Sequence, residues 1–338
     1  MSEPKQTAES TGNNPYIFYE DSTTDYPAIN PADPSDIRMV EGYYSDLRAR
    51  ILAEVRHDET ALNIGRVARF LDHYGIPMHE FIAVYTEDVP ALERLVGGSE
   101  DAEAATVGGY FSIMDLSYVV RNKKDEAVNG PEVTEASLAH ELSHASSTIK
   151  SVGLARSQSG EMGSLLLRTG FRVDDETDDG IGAFFEEGFA GLMENRYITE
   201  ELAMPNGFSQ GSEPQRINVG DMTYKQPRSY FVDSSPDGRF GSSSPASHAA
   251  YGMELLIAKD PTILEVMLKA RTDIQGLRQF AKRVNDLSPG LYRALARRPY
   301  TSVNFMAATN HIIDKLYDGN QDKAIETFSD SSPLVFTK

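Results

Sequence analysis

Apolar residues recur along the chain at two spacings: every second residue, as in a strand, and every three to four residues, as in a helix. These spacings predict mixed strands and helices first and helices alone towards the end. Residues 1–36 show neither spacing and are rich in Ser, Thr, Asn and Pro, which predicts a mobile N-terminal tail. Two helices are expected next, and the second ends at Gly75. Three further elements follow: a buried strand at Phe81–Thr86, a short helix at 90–96 and a strand pair at 107–121.

The segment from residue 131 to residue 150 predicts a helix with one apolar side. Pro131 suits the first position of a helix, because its missing N–H would have no partner there. The apolar stripe consists of Leu138, Leu142, Ala145 and Ile149. Such a helix would bury this stripe and turn its opposite side towards a cleft.

The middle of the chain predicts one more strand and one more helix. Residues 165–173 are typical of a strand that runs into an acidic turn, and residues 182–197 are typical of a helix. Residues 203–245 are rich in Gly, Ser, Pro and Asn, which predicts a long irregular segment of the kind found at sites.

From Pro245 to the end the pattern is helical, with breaks at Pro261, Pro289 and Pro299. The order of elements predicts an α+β fold, because mixed strands and helices come before a region of helices only. We expect a single domain over residues 37–338. It would have a mixed N-terminal lobe at about 37–150 and a mainly helical lobe at about 151–338.

The 338 residues include 51 acidic and 32 basic side chains, a net charge of −19, and no cysteine. This charge argues against nucleic acid and anionic membranes as partners, because phosphates would be repelled. Without cysteine, any metal must be bound by His, Asp or Glu. The polar N-terminus and the lack of an apolar run that could span a bilayer predict a cytoplasmic protein, with its oligomeric state open.

Residues 140–144 read His-Glu-Leu-Ser-His, an HExxH motif. On a helix, residues four apart share a face, so His140 and His144 can bind one metal ion. Glu141 lies about 100° around the helix, where it reaches a water molecule beside the metal rather than the metal. The alternative is a pair of solvated histidines on an amphipathic helix.

A catalytic zinc site takes three protein ligands and keeps its fourth position open. The helix predicted at residues 182–197 carries Glu187 and Glu194 on the side opposite its apolar residues, with Glu186 near the boundary. Glu187 is therefore a candidate third ligand. An ordinary solvated carboxylate would show the same pattern, so both interpretations stay open at this point.

The HExxH motif and the downstream Glu-Gly-Phe-Ala segment that starts at Glu187 resemble those of gluzincin metallopeptidases. The resemblance implies a thermolysin-like zincin fold and hydrolysis of peptide or protein substrates. It implies Zn2+ bound by His140, His144 and Glu187. It also implies that the strand pair at residues 107–121 includes an edge strand beside the cleft, which pairs with extended substrate.

The sequence departs from the aminopeptidase-like gluzincins in several places. Between His144 and Glu187 lie 42 residues, a longer gap than in those enzymes. Their Gly-x-Met-Glu-Asn motif, which anchors a substrate N-terminus, is missing before His140, so endopeptidase and aminopeptidase activity both stay open. Gly191 stands where thermolysin-like enzymes have an Asp four residues after the ligand, and Glu194 could orient a ligating imidazole instead.

The resulting hypothesis is that Glu141 takes a proton from a zinc-activated water and passes it to the leaving amine. A further donor should stabilise the oxyanion. His248 and Tyr251 are three residues apart on a predicted helix and share a face, and the family resemblance implies a Tyr or His donor in this region. Tyr197 is a third candidate. For all three, a satisfied polar residue of the core is the alternative.

Other interpretations use the same residues differently. A different zinc hydrolase could share the ligands, and a zincin-like fold with weak or no catalysis could serve as a binding or regulatory module. The intact Glu141 favours activity, because a binding module needs no general base. Residues 175–186 nearly fit an EF-hand calcium loop, but a strand precedes them. Gly207–Gly211 fits the nucleophile-elbow pattern, but no strand precedes it.

Overall fold

A computed structural model describes the chain over residues 34–96, 109–110, 116–146, 150–156, 162–173, 181–202, 216–219, 222–225, 245–271, 273–320 and 323–324. Its helices are α1 (Pro34–Glu54), α2 (Ile64–His73), α3 (Val89–Val96), α4 (Lys123–Asn129), α5 (Glu132–Ala145), α6 (Ala183–Arg196), α7 (Pro245–Lys259), α8 (Thr262–Ala270), α9 (Ile274–Leu287), α10 (Leu291–Ala296) and α11 (Ser302–Leu316). Its strands are β1 (Glu80–Tyr85), β2 (Gly109–Tyr110), β3 (Leu116–Arg121), β4 (Lys150–Arg156), β5 (Met162–Thr169), β6 (Arg172–Val173), β7 (Arg216–Val219) and β8 (Met222–Lys225). A 3-10 turn precedes α3 at Thr86–Asp88, and a π-helical turn follows α6 at Tyr197–Glu201.

Helices dominate the described residues, and the strands form small sheets among them, so the fold is α+β. β1 lies parallel to β3, from Glu80 opposite Leu116 to Tyr85 opposite Arg121. β2 pairs antiparallel with the other edge of β3, which agrees with the strand pair predicted at residues 107–121. β4, β5 and β6 form an antiparallel meander, and β7 and β8 form a hairpin.

Local sequence explains where several helices begin. The side chains of Asn63, Asp273 and Thr301 accept hydrogen bonds from the first N–H groups of α2, α9 and α11. Gly182, which precedes α6, has a φ of 89°, and a Cβ there would lie 2.0 Å from the carbonyl oxygen of Phe171. Only glycine fits this position. In the described part of the chain, none of the helices is both long and apolar enough to cross a membrane.

Two hydrophobic clusters lie on opposite faces of the β1–β3 sheet, because successive residues of a strand point to opposite sides. The main core joins helices from distant parts of the sequence, among them Phe70, Leu138, Leu142, Phe184, Phe185, Phe280 and Ile312. It is continuous across residue 150, where the sequence suggested a lobe boundary. The smaller cluster packs α1 and α3 on the sheet through Leu47, Ile51, Val84, Leu92 and Leu116.

α7 crosses α6 at two glycines. A Cβ on Gly188 would lie 2.6 Å from the side chain of Met253, and one on Gly191 would lie 2.9 Å from the carbonyl oxygen of Ala246. The two helices can approach this closely because neither glycine carries a side chain. Glu187 lies on another side of α6, where its carboxylate reaches the histidines of α5.

Three predicted segments differ in detail from the structure. α1 begins at Pro34, inside the predicted tail. α5 ends at Ala145 rather than near residue 150, because the chain enters β4, which pairs with β5. α5 is also buried on nearly all sides rather than along one stripe. The segment predicted to be irregular at residues 203–245 contains the β7–β8 hairpin, whose strands are stabilised by mutual hydrogen bonds.

Several predicted features lie outside the described residues. They are the tail before residue 34, Ile149 of the predicted stripe, the acidic turn at 174–180 with the first half of the EF-hand-like segment, and Gly207–Gly211.

Candidate metal centre

His140 and His144 lie one turn apart on α5 and bring two imidazole nitrogens together. Their Nε2 atoms are 3.2 Å apart, and the ring centroids are 4.9 Å apart. Both side chains are largely enclosed, with 12% and 11% of their surfaces exposed. The helix therefore directs both nitrogens towards one point, as the i and i+4 spacing of the HExxH motif predicts.

Glu187 comes from α6, which packs beside α5. Its carboxylate oxygens lie 3.7 Å from His140 Nε2 and 3.8 Å from His144 Nε2. One candidate ligand atom from each of the three residues lies within 4.8 Å of the others. Ligand atoms around a tetrahedral zinc ion at ordinary bond lengths are about 3.3 Å apart. The structure thus brings together the three residues that the sequence predicted as ligands, at nearly the spacing one ion requires.

The second nitrogen of each imidazole hydrogen-bonds to a carboxylate on α6. His140 Nδ1 lies 3.1 Å from Glu194 Oε2, and His144 Nδ1 lies 3.0 Å from Glu186 Oε1. An ionised carboxylate can only accept, so each Nδ1 donates, and this leaves Nε2 as the ligand atom. The sequence suggested such a role for Glu194 but placed Glu186 only near the edge of the polar side of its helix.

Glu186 is held by two further groups. Its Oε1 accepts a hydrogen bond from Arg271 Nη1 at 3.0 Å, and its Oε2 accepts one from the backbone N–H of Phe171 at 2.9 Å. Burial raises the pKa of Glu186, but the charges of Arg271 and His144 outweigh it and hold the pKa at about 2. Glu186 is therefore ionised at neutral pH. Arg271 lies 85 residues further along the chain, and no spacing in the sequence connects the two.

The electrostatics of the cluster favour a cation. Burial lowers the pKa of His140, but hydrogen bonds with Glu187 and Glu194 outweigh it and raise that pKa well above its ordinary value. Burial raises the pKa of Glu187, yet the charge of His144 and the hydrogen bond with His140 leave it lowered. The carboxylates thus stabilise positive charge where the nitrogens converge, as a set of metal ligands must.

Glu141, the second residue of the motif, is buried beside the two histidines. Burial raises the pKa of Glu141 to about 7, although the charges of His140 and His144 act against it. A carboxylate whose pKa lies near neutral pH can both accept a proton from water and return it to a leaving group. This is the property that the sequence hypothesis requires of Glu141.

Tyr300, between α10 and α11, belongs to the surroundings of the centre and was not singled out from the sequence. Burial and the negative charges of Glu187 and Glu141 raise the pKa of its hydroxyl, so the phenol is protonated at neutral pH. The residue is 43% exposed, and its ring packs edge-on against Phe305. A protonated phenol in the field of both carboxylates can donate a hydrogen bond to a bound molecule.

His248 and Tyr251, the predicted oxyanion donors, are both buried on α7. The side of α7 that packs against α6 consists of Ala246, Ala249, Ala250 and Met253. At about 100° per residue, His248 and Tyr251 lie on the opposite side of this helix. Burial lowers the pKa of His248 to about 4, so its imidazole is neutral at pH 7. Their role as donors stays a prediction that this placement does not support.

Tyr197, the third candidate donor, is engaged away from the centre. Its hydroxyl donates to Glu135 and accepts a hydrogen bond from Arg66 Nε at 3.0 Å. Arg66 also lies 2.6 Å from Glu135 Oε2. This group ties α2 and α5 to the π-helical turn, which gives the Tyr197 hydroxyl a role in packing.

Comparison with known proteins adds no relative to this picture. The chain matches no protein-family model, and no curated protein or solved structure matches it either. Evidence for a function therefore comes from the geometry of His140, His144 and Glu187, and from the groups that hold them.

Proposed function

We propose that this chain is a zinc-dependent metallopeptidase of the gluzincin type, with a zincin-like fold. The observation that carries the proposal is the convergence of His140 Nε2, His144 Nε2 and the Glu187 carboxylate, with each imidazole oriented by a carboxylate behind it. Two imidazole nitrogens and one carboxylate oxygen form a donor set that suits zinc and keeps one coordination position open.

A zinc ion bound by these three residues would polarise the scissile carbonyl and lower the pKa of a water molecule. Glu141, buried beside both histidines, accepts the proton of the attacking water and delivers it to the leaving amine, and burial raises its pKa in the metal-free protein. The Tyr300 hydroxyl, which burial and the charges of Glu187 and Glu141 keep protonated, is the donor that we propose for the developing oxyanion. The substrates are peptides or proteins.

The test combines metal analysis with digestion of a peptide library by four proteins: wild type, Glu141→Gln, His144→Ala and Glu132→Gln. Glu132 lies on the same helix with 37% of its side chain exposed, so its variant is the matched control. We expect stoichiometric zinc in all except His144→Ala. We expect Glu141→Gln to lose about 10²- to 10⁴-fold in rate, because the general base is removed while the ligands remain.

Three outcomes would contradict the proposal. Wild-type protein without zinc would remove the metal site, and an unchanged rate for Glu141→Gln would remove the mechanism. Zinc binding without cleavage of any library peptide would favour a zincin-like binding or regulatory module over a peptidase.

A further inference from the structure

Arg271 follows α8, far along the chain from the helices that carry the candidate ligands, yet it contacts both of them. One end of its guanidinium, Nη1, donates to Glu186 of α6 at 3.0 Å. The other end, Nη2, donates to the carbonyl oxygens of Ser143 and His144 at the end of α5, the latter at 3.2 Å. The side chain also lies over the ring of Phe189, with Cζ 4.2 Å from the ring centroid. Arg271 therefore joins three elements at one point.

The C-terminal end of α5 favours a cation such as the Arg271 guanidinium. The last carbonyl groups of a helix have no partner within it, and they carry partial negative charge. Nη2 of Arg271 supplies donors to two of these carbonyls, and one of them belongs to the candidate ligand His144. The guanidinium thus fixes the backbone of His144 from one side.

The same guanidinium fixes the imidazole of His144 from the other side. Glu186 Oε1 accepts hydrogen bonds from both Arg271 Nη1 and His144 Nδ1, each at 3.0 Å. Arg271 and Glu186 each have 2% of the side chain exposed, so neither charge is compensated by water. A buried carboxylate keeps its charge only if an opposite charge and hydrogen bonds compensate the loss of solvent. Arg271 supplies both.

We propose that Arg271 is a positioning residue for the metal centre, which holds the Glu186 carboxylate and the end of α5 so that His144 Nε2 faces His140 and Glu187. This inference rests on the proposed metal site. Groups that orient the ligands contribute to metal affinity although they never touch the metal, because they fix the direction of the ligand atom beforehand.

A buried ion pair can also serve packing alone, and α6 provides a control for that case. Arg196 of α6 pairs with Glu254 of α7 at 3.2 Å, with 12% and 9% of the two side chains exposed. This pair resembles Arg271–Glu186 in chemistry and enclosure. Arg196 donates hydrogen bonds to Glu254 and to the Tyr74 hydroxyl, and neither residue is a candidate ligand.

The experiment compares wild type with Arg271→Met, Arg271→Lys, Arg196→Met and the double variant Glu186→Gln/Arg271→Met. Unfolding of each metal-free protein by urea gives its stability. Competition with a chromophoric chelator gives its zinc affinity, at a temperature where each metal-free protein is folded by circular dichroism. The absorption spectrum of the Co2+-loaded protein reports the coordination geometry.

We expect Arg271→Met to weaken zinc binding about 10- to 100-fold and to change the Co2+ spectrum. Arg271→Lys should bind zinc with intermediate affinity, because lysine keeps the charge but cannot donate along both edges of a planar fork. The double variant should regain stability relative to Arg271→Met, since no unpaired buried charge remains, without regaining affinity. Arg196→Met should lose stability and keep its zinc affinity.

Zinc affinity in Arg271→Met equal to that of wild type, or an equal loss in Arg196→Met, would overturn the inference and leave the metal site intact. Failure of wild type to bind zinc would instead overturn the proposed function itself. If Arg271→Met does not fold, Arg271→Lys and the double variant decide, because unchanged affinity in both would equally contradict the positioning role.

Discussion

Both histidines of the centre donate through Nδ1 to a carboxylate of α6, but the two carboxylates have different surroundings. The imidazoles themselves are equally enclosed, with 12% and 11% of the His140 and His144 side chains exposed. Behind His144, Glu186 is 2% exposed and also bonded to Arg271. Behind His140, Glu194 is 32% exposed.

The difference shows two ways of supplying the same hydrogen bond. Water can solvate Glu194 and compete for its oxygens, so its charge costs little and its hold on His140 is loose. Glu186 is buried away from water and its charge is compensated by Arg271. Its position is therefore fixed, and removing its charge should strongly destabilise the fold. We therefore expect a rigid support at His144 and an adjustable one at His140, and the predictions below test this difference with Glu186→Gln and Glu194→Gln.

The largest difference should be in stability. Glu186→Gln leaves the charge of Arg271 buried without its carboxylate, and breaking a buried pair costs about 3–5 kcal/mol. Glu194→Gln removes a partly solvated contact, which is worth at most about 1 kcal/mol. Urea unfolding of the metal-free proteins at pH 7 measures both. Equal losses would mean that solvent exposure does not distinguish the two carboxylates.

The second largest effect should come from acid, which removes the stability that the ionised Glu186 carboxylate contributes. Its pKa of about 2 in the folded protein lies below its ordinary value of 4.5, a difference that corresponds to about 3 kcal/mol. Because the folded pKa is the lower one, this stability is present above pH 4.5 and is lost as the pH falls towards 2. Above pH 5 this carboxylate is ionised in both the folded and the unfolded chain, so its own titration adds no pH dependence there to the gap in unfolding free energy between wild type and Glu186→Gln.

Below pH 4.5 that gap should narrow, because the wild-type carboxylate is increasingly protonated in the unfolded chain. Urea unfolding of the two metal-free proteins at pH 7, 5, 4 and 3 tests this. A gap at pH 3 as large as that at pH 7 would show that Glu186 is not the group whose charge stabilises the fold here.

Zinc affinity should separate the two supports by a smaller amount. Removing the partner of a ligating imidazole typically costs about 10- to 100-fold in affinity. We expect Glu186→Gln in the upper half of that range and Glu194→Gln below tenfold, since water can replace the exposed carboxylate as acceptor. Competition titrations at pH 7 with both variants and wild type measure the order, and a larger loss in Glu194→Gln would reverse our comparison.

Much of the helical framework around the centre follows from local sequence. α6 was predicted at residues 182–197 and occupies Ala183–Arg196. The breaks expected at Pro261, Pro289 and Pro299 fall before α8, α10 and α11, whereas the break between α8 and α9 was not predicted. β4 was not predicted, because Lys150–Arg156 carries a glycine and charged ends and becomes a strand through its hydrogen bonds with β5. Sheet partners of this kind are absent from local patterns.

Local sequence likewise predicts some residues of the candidate site and misses others. His140, His144 and Glu187 could be named because helical spacing relates two of them and a short segment marks the third. Glu186 and Arg271 could not, since their contact joins residues 85 positions apart and depends on how α6 meets the end of α8. The influence of Glu187 and Glu141 on the pKa of Tyr300 likewise arises only through tertiary packing. Candidate ligands are thus easier to predict than the residues that contact them from distant parts of the sequence.

Salt should have the smallest effect on zinc affinity, and it tests most directly whether the two carboxylates differ in their exposure to solvent. At 1 M salt the screening length falls to about 3 Å, so a charge in contact with solvent is weakened while a buried pair is little affected. Chloride changes the absolute zinc affinity of every protein, and we therefore compare each variant with wild type at the same salt concentration. From 0.05 M to 1 M potassium chloride, the affinity ratio of wild type to Glu194→Gln should fall, by a change below about 0.5 kcal/mol. The affinity ratio of wild type to Glu186→Gln should stay constant, because Arg271 and Glu186 are buried where dissolved ions cannot screen their charges.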